Sequence, residues 1–230
     1  MTATVEEQVD VETRLCRHIV RYKRDPLGFV QFAWPWGKKG TRYEAGLDAN
    51  QIEILRALTA QVQDRAFDGR TPTLPILITI PSGHGTGKSV LFALIAMWVL
   101  SCWPESKQTV TAGSWDQLVH RTAAAITAWG KDCITAHWFD FQKTGVFSRE
   151  SPEDWKLVFQ SCKEENAQNF AGQHAARAIS GYIFDEASEV PPKIWETAYG
   201  GMTDGMPIMI VGGQMLRSGG EFFEVSFGER

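Results

Sequence analysis

The segment Ser82-Gly83-His84-Gly85-Thr86-Gly87-Lys88-Ser89 constrains this chain more than any other stretch. An apolar run from Leu74 to Ile80 precedes it and reads as a buried strand. Val90 to Trp98 follows and reads as a buried helix. A strand, a glycine-rich turn and a helix opening with Gly-Lys-Ser are the parts of a phosphate-binding loop. The glycines let the backbone curl so that successive N–H groups point at phosphate oxygens. The helix start adds unpaired N–H donors and the positive end of its dipole. In this reading Lys88 brings a point charge to the β- and γ-phosphates of ATP, and the Ser89 hydroxyl is a ligand to Mg²⁺. One departure is visible: the usual pattern opens with Gly, and Ser82 holds that place.

The 230 residues, 43% hydrophobic and 22% charged, suit one soluble globular domain with a sizeable core. Cys16, Cys102, Cys133 and Cys162 lie far apart, with no C-x-x-C pair, as expected of reduced thiols. The acidic start, Met1 to Asp10, is not a secretory signal. The longest apolar run, Val90 to Trp103, is too short to span a bilayer, so no membrane role is expected. A net charge of −4 argues against nucleic acid gripped over the whole surface, though not against a local basic patch. Arg14, Arg17, His18, Arg21, Lys23 and Arg24 could form one, with Lys38, Lys39 and Arg42 near in sequence. The plainer reading is the solvated face of a helix whose apolar side carries Leu15, Ile19 and Tyr22.

Residues 1–10 read as mobile and 11–24 as a helix that Pro26 ends. The aromatic tract Phe29 to Gly37 reads as an N-terminal lid, giving a segment 1–47 ahead of a core over 48–230. Asp48 caps a helix to residue 63, with Ile52, Leu55, Leu58 and Val62 at helical spacing. After the loop helix, Gln108 to Ala112 is a strand, and Ser114 caps a helix running to Trp129. Residues 131–150 show no clear pattern, Lys156 to Gln160 is a weak strand, and 163–175 is polar with a turn at Gly172. Ile179 to Phe184 is a strong strand, Pro191-Pro192 opens a helix through Tyr199, and Pro207 to Val211 is a further strand. The alternation predicts an α/β fold with a largely parallel sheet and the ligand at the strands' carboxyl ends.

Ile183-Phe184-Asp185-Glu186 supplies what a phosphate-loop ATPase needs next. Asp185, at a strand end, would hold Mg²⁺ through water, facing Ser89. Glu186 would polarise the attacking water, a general-base task that needs a carboxylate within reach. An apolar run ending in two acids is weak alone, since acids often follow strands to cap a helix. Joined to the loop, it is half of a hydrolytic site.

The blocks Asn169-Phe170-Ala171-Gly172-Gln173-His174-Ala175, Tyr182 to Ser188 with its Asp185-Glu186-Ala187-Ser188, Ile194-Trp195-Glu196 and Met202-Thr203-Asp204-Gly205 resemble the large subunit of tailed-phage terminases. Asp25-Pro26, Phe29-Val30 and Trp34-Pro35-Trp36-Gly37 are similar to the N-terminal region of the same proteins, so the resemblance covers roughly residues 20–225. It implies a P-loop NTPase fold of the RecA-like (ASCE) kind and an ATPase that drives double-stranded DNA into a procapsid. It further implies backbone contacts to DNA, a portal protein and a terminase small subunit as partners, a homo-oligomeric ring, and work in the host cytoplasm. Relatives carry a nuclease domain after the ATPase, and with the sequence given ending at Arg230 none is expected here.

The resemblance also assigns Gln51 to the adenine, although its place in a first helical turn equally fits a surface amide. Arg121 is the first choice for an arginine that completes a neighbouring subunit's site, ahead of Arg177 and Arg217. Many relatives have Arg where this loop has His84, and Gly-Asn-Pro where it has Gly212-Gly213-Gln214, so Gln214 stands in for the γ-phosphate sensor. Two other readings share these motifs: a helicase-like or recombination ATPase, and a nucleotide-dependent assembly module of low turnover.

Overall fold

The computed structural model describes residues 5–83, 85–171 and 174–228, with side chains from residue 9 onward in the first helix. The helix α1 spans Val5–Ile19 and passes into a 3₁₀ turn, Val20–Tyr22. The helical stretch therefore begins well before residue 11, because nothing between Val5 and Asp10 is a glycine or proline that would break it. Arg14, Arg17, Arg21 and Arg24 are exposed while Ile19 is buried, with Leu15 and Tyr22 packed beside it.

Pro26 opens a helix rather than ending one. The helix α2, Pro26–Ala33, has Asp25 as its N-cap, whose carboxylate accepts the Gly28 N–H at 2.9 Å. Proline fits a first helical position because its missing N–H had no intrahelical partner there. Phe29, Val30, Ala33 and Trp34 are buried in the main core. Trp34 Nε1 donates to the Trp129 carbonyl at 2.9 Å, and Trp36 Nε1 to that of Val30 at 2.7 Å. Indoles buried this way fix the path of the segment between residues 34 and 47.

Next comes α3, Ala49–Arg65, entered through a capping box between Asp48 and Gln51. Then follow β1 (Ile76–Pro81), α4 (Lys88–Cys102), β2 (Lys107–Ala112) and α5 (Trp115–Gln117). A π-helical segment, Leu118–Ala123, joins α5 to α6 (Ala124–Gly130). The expected single helix from Ser114 is thus present but wound wider in its middle. The patternless stretch 131–150 is a hairpin of β3 (Phe139–Gln142) and β4 (Gly145–Ser148). Strand β5 is Lys156–Phe159, β6 is Ile179–Asp185, α7 is Pro192–Gly200 and β7 is Met206–Gly213. A last helix, α8 (Glu221–Phe227), was not foreseen.

Among the described residues, seven strands form one sheet in the order β1-β7-β6-β2-β5-β4-β3. The first five run parallel, and the hairpin adds two antiparallel strands at one edge. Alternate residues of β6 feed two cores: Ile179 and Ile183 pack with α2, α3, α4 and α6, whereas Tyr182 and Phe184 pack with Phe170, Trp195 and Phe222. Helices therefore cover both faces, as a mostly parallel sheet requires. All four cysteines are free, and Cys16 alone among them is exposed.

Candidate functional site: a glycine-rich loop facing an acid pair

Parallel strands end on the same side of a sheet, so the register decides which loops meet. Pro81 pairs with Gly213, Phe184 with Val211 and Asp185 with Ala112. One strand, β7, therefore separates the strand that enters the phosphate loop from the strand that ends in the acids. At ~4.8 Å per strand that spacing is about 10 Å, room for a phosphate chain between them. The Ser82 N–H donates to the Gly213 carbonyl at 3.0 Å, which ties the loop to the tip of β7.

The loop is shaped by its glycines and by Lys88. Gly85 and Gly87 have φ of 74° and 76°, which only glycine adopts without strain. Lys88 is 8% exposed, and its Nζ donates to the carbonyls of Gly83 at 2.7 Å and Ser82 at 3.2 Å. Thr86 Oγ1 lies 3.1 Å from Ser82 Oγ and donates to the Gly83 carbonyl at 3.2 Å. Serine at the place where a glycine is usual thus has a side-chain partner across the loop. His84 lies outside the described residues.

A cavity of about 290 Å³ is lined by Gly85, Thr86, Gly87, Lys88, Ser89, Val90, Arg121, Asp185 and Glu186. Residues distant in sequence, from the loop, the π segment and the end of β6, thus converge on one space. Asp185 is buried, and Oδ1 accepts the Glu186 N–H at 3.0 Å while Oδ2 accepts the Thr122 hydroxyl at 2.5 Å. Burial pushes its carboxyl above the usual value of 3.8, and the Glu186 charge adds to that. The Thr122 hydrogen bond and the Lys88 charge work the other way. Glu186 is 9% exposed and has a left-handed backbone, φ 47° and ψ 50°. A non-glycine residue in that region is strained, and such strain gathers at functional sites.

The tip of β7 explains its two glycines. A Cβ on Gly213 would lie 2.8 Å from the Ala187 nitrogen and 3.0 Å from Glu186 Cα. One on Gly212 would lie 2.8 Å from Phe92 Cζ and 3.2 Å from Lys88 Cδ. The strand end is therefore pressed between the lysine and the acid pair. Gln214 follows: its N–H points to Glu186 Oε2 at 3.4 Å, and its carbonyl accepts the Ser188 hydroxyl. These contacts belong to the backbone of Gln214.

Gln51 is buried, not a surface amide. Its Oε1 accepts the Asp48 N–H at 3.2 Å, and its Nε2 reaches the Gly87 carbonyl at 3.4 Å. It also lines a second cavity of about 300 Å³, with Asn50, Glu53, Ile54, Thr79, Ile80, Pro81, Ser82, Thr86, Lys88 and Leu91. This cavity shares Thr86 and Lys88 with the first, so the two flank the loop. Arg177 lies elsewhere, lining a polar cavity with Lys107, Asp154 and His174. Of the arginines considered, Arg121 is the one that lines the loop's cavity, and it does so from its own chain.

Among the described residues no three His, Cys, Asp or Glu side chains gather as a metal cage. The donors present are nevertheless those Mg²⁺ takes: a hydroxyl, a buried carboxylate and space for water and phosphate oxygens. Sequence reasoning missed Thr122, whose single hydroxyl in a helical run carries no motif.

No family model matches the chain. A protein described as a probable terminase large subunit, from Enterobacteria phage P7, is 27% identical over 151 residues, which cover 64% of this chain and 30% of that relative. The chain is similar to phage terminase large subunits. The match spans less than a third of that relative's length. The ATPase domain of the Thermus phage P74-26 large terminase superposes with a TM-score of 0.51 at 16% identity, covering 79% of this chain and 69% of that one. A mutant of the same domain gives 0.41 at 17%, covering 62% and 61%. The fold is similar to that of this terminase ATPase domain: a mostly parallel sheet flanked by helices.

Because the folded protein holds the Asp185 carboxyl above 3.8, its protonated form is favoured there. The cost of ionising it sets in as pH rises through the unfolded value and is complete above the folded one. Asp185→Asn removes that cost, and the Thr122 hydroxyl can turn to accept from the new amide. The nucleotide-free variant is expected to gain about 1 kcal/mol of stability near pH 7 while losing turnover, a common trade at active sites. Urea unfolding beside a hydrolysis assay checks this. A loss of stability would mean that the carboxylate's hydrogen bonds outweigh its desolvation.

Proposed function

We propose that this chain is a Mg²⁺-dependent ATPase that powers movement of double-stranded DNA, as the motor portion of a phage terminase large subunit. The observation that carries the reading is the shared cavity, where Lys88 and Ser89 face Asp185 and Glu186. ATP is the nucleotide: its phosphates lie along the loop, with its base in the cavity beside Gln51. Ser82, Gly83, Gly85, Thr86 and Gly87 wrap the phosphates, and Lys88 neutralises their charge. Ser89 and Asp185 hold Mg²⁺, which when bound offsets the charge on the phosphate oxygens. Glu186 accepts the proton of the attacking water.

Arg121 lines the cavity of its own chain, so in this reading it stabilises negative charge there rather than in a neighbouring subunit's site. Gln51 has one carbonyl oxygen committed to the capping box, so contact with a base falls to its amide nitrogen. In this reading DNA is held by its backbone and without regard to sequence. A portal protein, a small subunit and further copies of the chain complete the assembly, and the work takes place in the host cytoplasm. Among the described residues no helix is long and apolar enough to cross a membrane.

The deciding experiment is steady-state phosphate release with and without duplex DNA. Release that requires Mg²⁺ and rises with duplex of any sequence is the expected result. Nucleotide binding without turnover, whatever DNA is added, would instead indicate an assembly module. Strand separation would indicate a helicase.

A further inference from the structure

We infer that Thr122 is a positioning residue for the metal carboxylate: its hydroxyl holds Asp185 in the orientation from which it serves the cation. The inference rests on the reading of the cavity as a Mg²⁺–nucleotide site. It begins with what threonine hydroxyls ordinarily do in helices. They donate back to the carbonyl four residues earlier, which satisfies the group locally. Thr13, Thr59 and Thr197 do this in the present chain, to Val9, Leu55 and Lys193, each at 2.8 Å. Thr122 does not follow them. Its hydroxyl is donated across the fold to Asp185 Oδ2 at 2.5 Å, 63 residues away in sequence.

The backbone around Thr122 is equally unusual. It lies in the π-helical segment Leu118–Ala123, where the turn is wider than in the flanking helices. Single π turns cost stability and persist mostly where they serve a site. Here the segment directs two successive residues to one place: Arg121 is exposed and lines the cavity, while Thr122 is fully buried against the acid.

Asp185 has two oxygens and two fixed donors. The Glu186 N–H holds Oδ1 and the Thr122 hydroxyl holds Oδ2, so the carboxylate plane cannot turn without breaking one bond. Each oxygen keeps a lone pair free for a cation or its water. Groups that orient a metal ligand in this manner are commonly worth ten- to a hundredfold in metal affinity.

Thr122→Val keeps the branched shape and removes the hydroxyl, and Thr122→Ser restores it. Mn²⁺, as the probe for the site, is titrated into the protein saturated with a non-hydrolysable ATP analogue, and free Mn²⁺ is read by electron paramagnetic resonance. Thr122→Val is expected to bind Mn²⁺ about tenfold more weakly, with Thr122→Ser within about twofold of the wild type. Its hydrolysis should need correspondingly more Mg²⁺ to reach half its maximal rate. A variant that melts lower yet binds Mn²⁺ as the wild type does would show a packing role only and overturn the inference. If the wild-type complex itself binds no Mn²⁺, the reading of the cavity fails and the inference falls with it. Wild-type binding with an unaffected Thr122→Val removes the inference alone.

Discussion

Lys88→Ala is expected to abolish nucleotide binding at concentrations that saturate the wild type, and turnover with it. The ammonium is buried at the start of α4 and donates two bonds to loop carbonyls, Gly83 and Ser82. It thus does two things: it holds the loop's shape, and it brings positive charge to the cavity it lines with Ser89, Arg121 and the acids. A hydrogen bond to a charged partner contributes about 1.5–3 kcal/mol. Losing one or two such bonds to phosphate weakens binding by roughly tenfold to ten-thousandfold, at about 1.36 kcal/mol per decade. Alanine removes one of the two cations, Lys88 and Arg121, that line the cavity with Asp185 and Glu186, which raises the repulsion a phosphate chain meets. Titration with a fluorescent ATP analogue measures the affinity, and phosphate release measures the rate. Unchanged hydrolysis would remove the phosphate-loop assignment.

Glu186→Gln should separate binding from chemistry. Glutamine has almost the same shape, and its amide oxygen can still face the Gln214 N–H that approaches Glu186 Oε2 at 3.4 Å. What it cannot do is take a proton from water. The variant should bind ATP as the wild type does and hydrolyse it at least about a hundredfold more slowly, the usual contribution of a general base. The left-handed backbone at this position sharpens the expectation, since it turns the side chain from the end of β6 toward the cavity it lines. Single-turnover hydrolysis with bound nucleotide quantified in parallel gives both numbers. Normal turnover would mean that another group accepts the proton.

Much of this site was legible because its signals are local. A strand, a glycine-rich turn and a helix are adjacent in the chain, so Ser82 to Ser89 announce their geometry without reference to the rest of the fold. The acid pair was legible because an apolar strand ending in two carboxylates is costly unless they meet donors or a cation. The run Asp48–Val62 was legible through its cap and spacing. Less was visible where structure depends on distant partners. Pro26, read from the sequence as the end of one helix, is the first residue of the next, and Asp25 with its side-chain cap decides it. The β3–β4 hairpin has no strong alternation and exists because β4 pairs with β5 at the sheet edge. For Gln51 a surface amide fitted as well as an adenine contact, because nothing in its own helix reports that Gly87 lies beside it.

The glycine-rich turn between strand and helix, the acids at a strand end and the largely parallel sheet can be read from the chain alone, since these follow from chain-local geometry and hydrophobic period. The tertiary structure alone decided that β7 stands between loop and acids, that Arg121 shares their cavity, and that Thr122 holds Asp185. The physical reason is the same in each case. Strand order, and the π turn that aims two adjacent residues at one site, are settled by contacts between segments far apart in the chain, and the burial that makes those contacts strong exists only once the fold has closed.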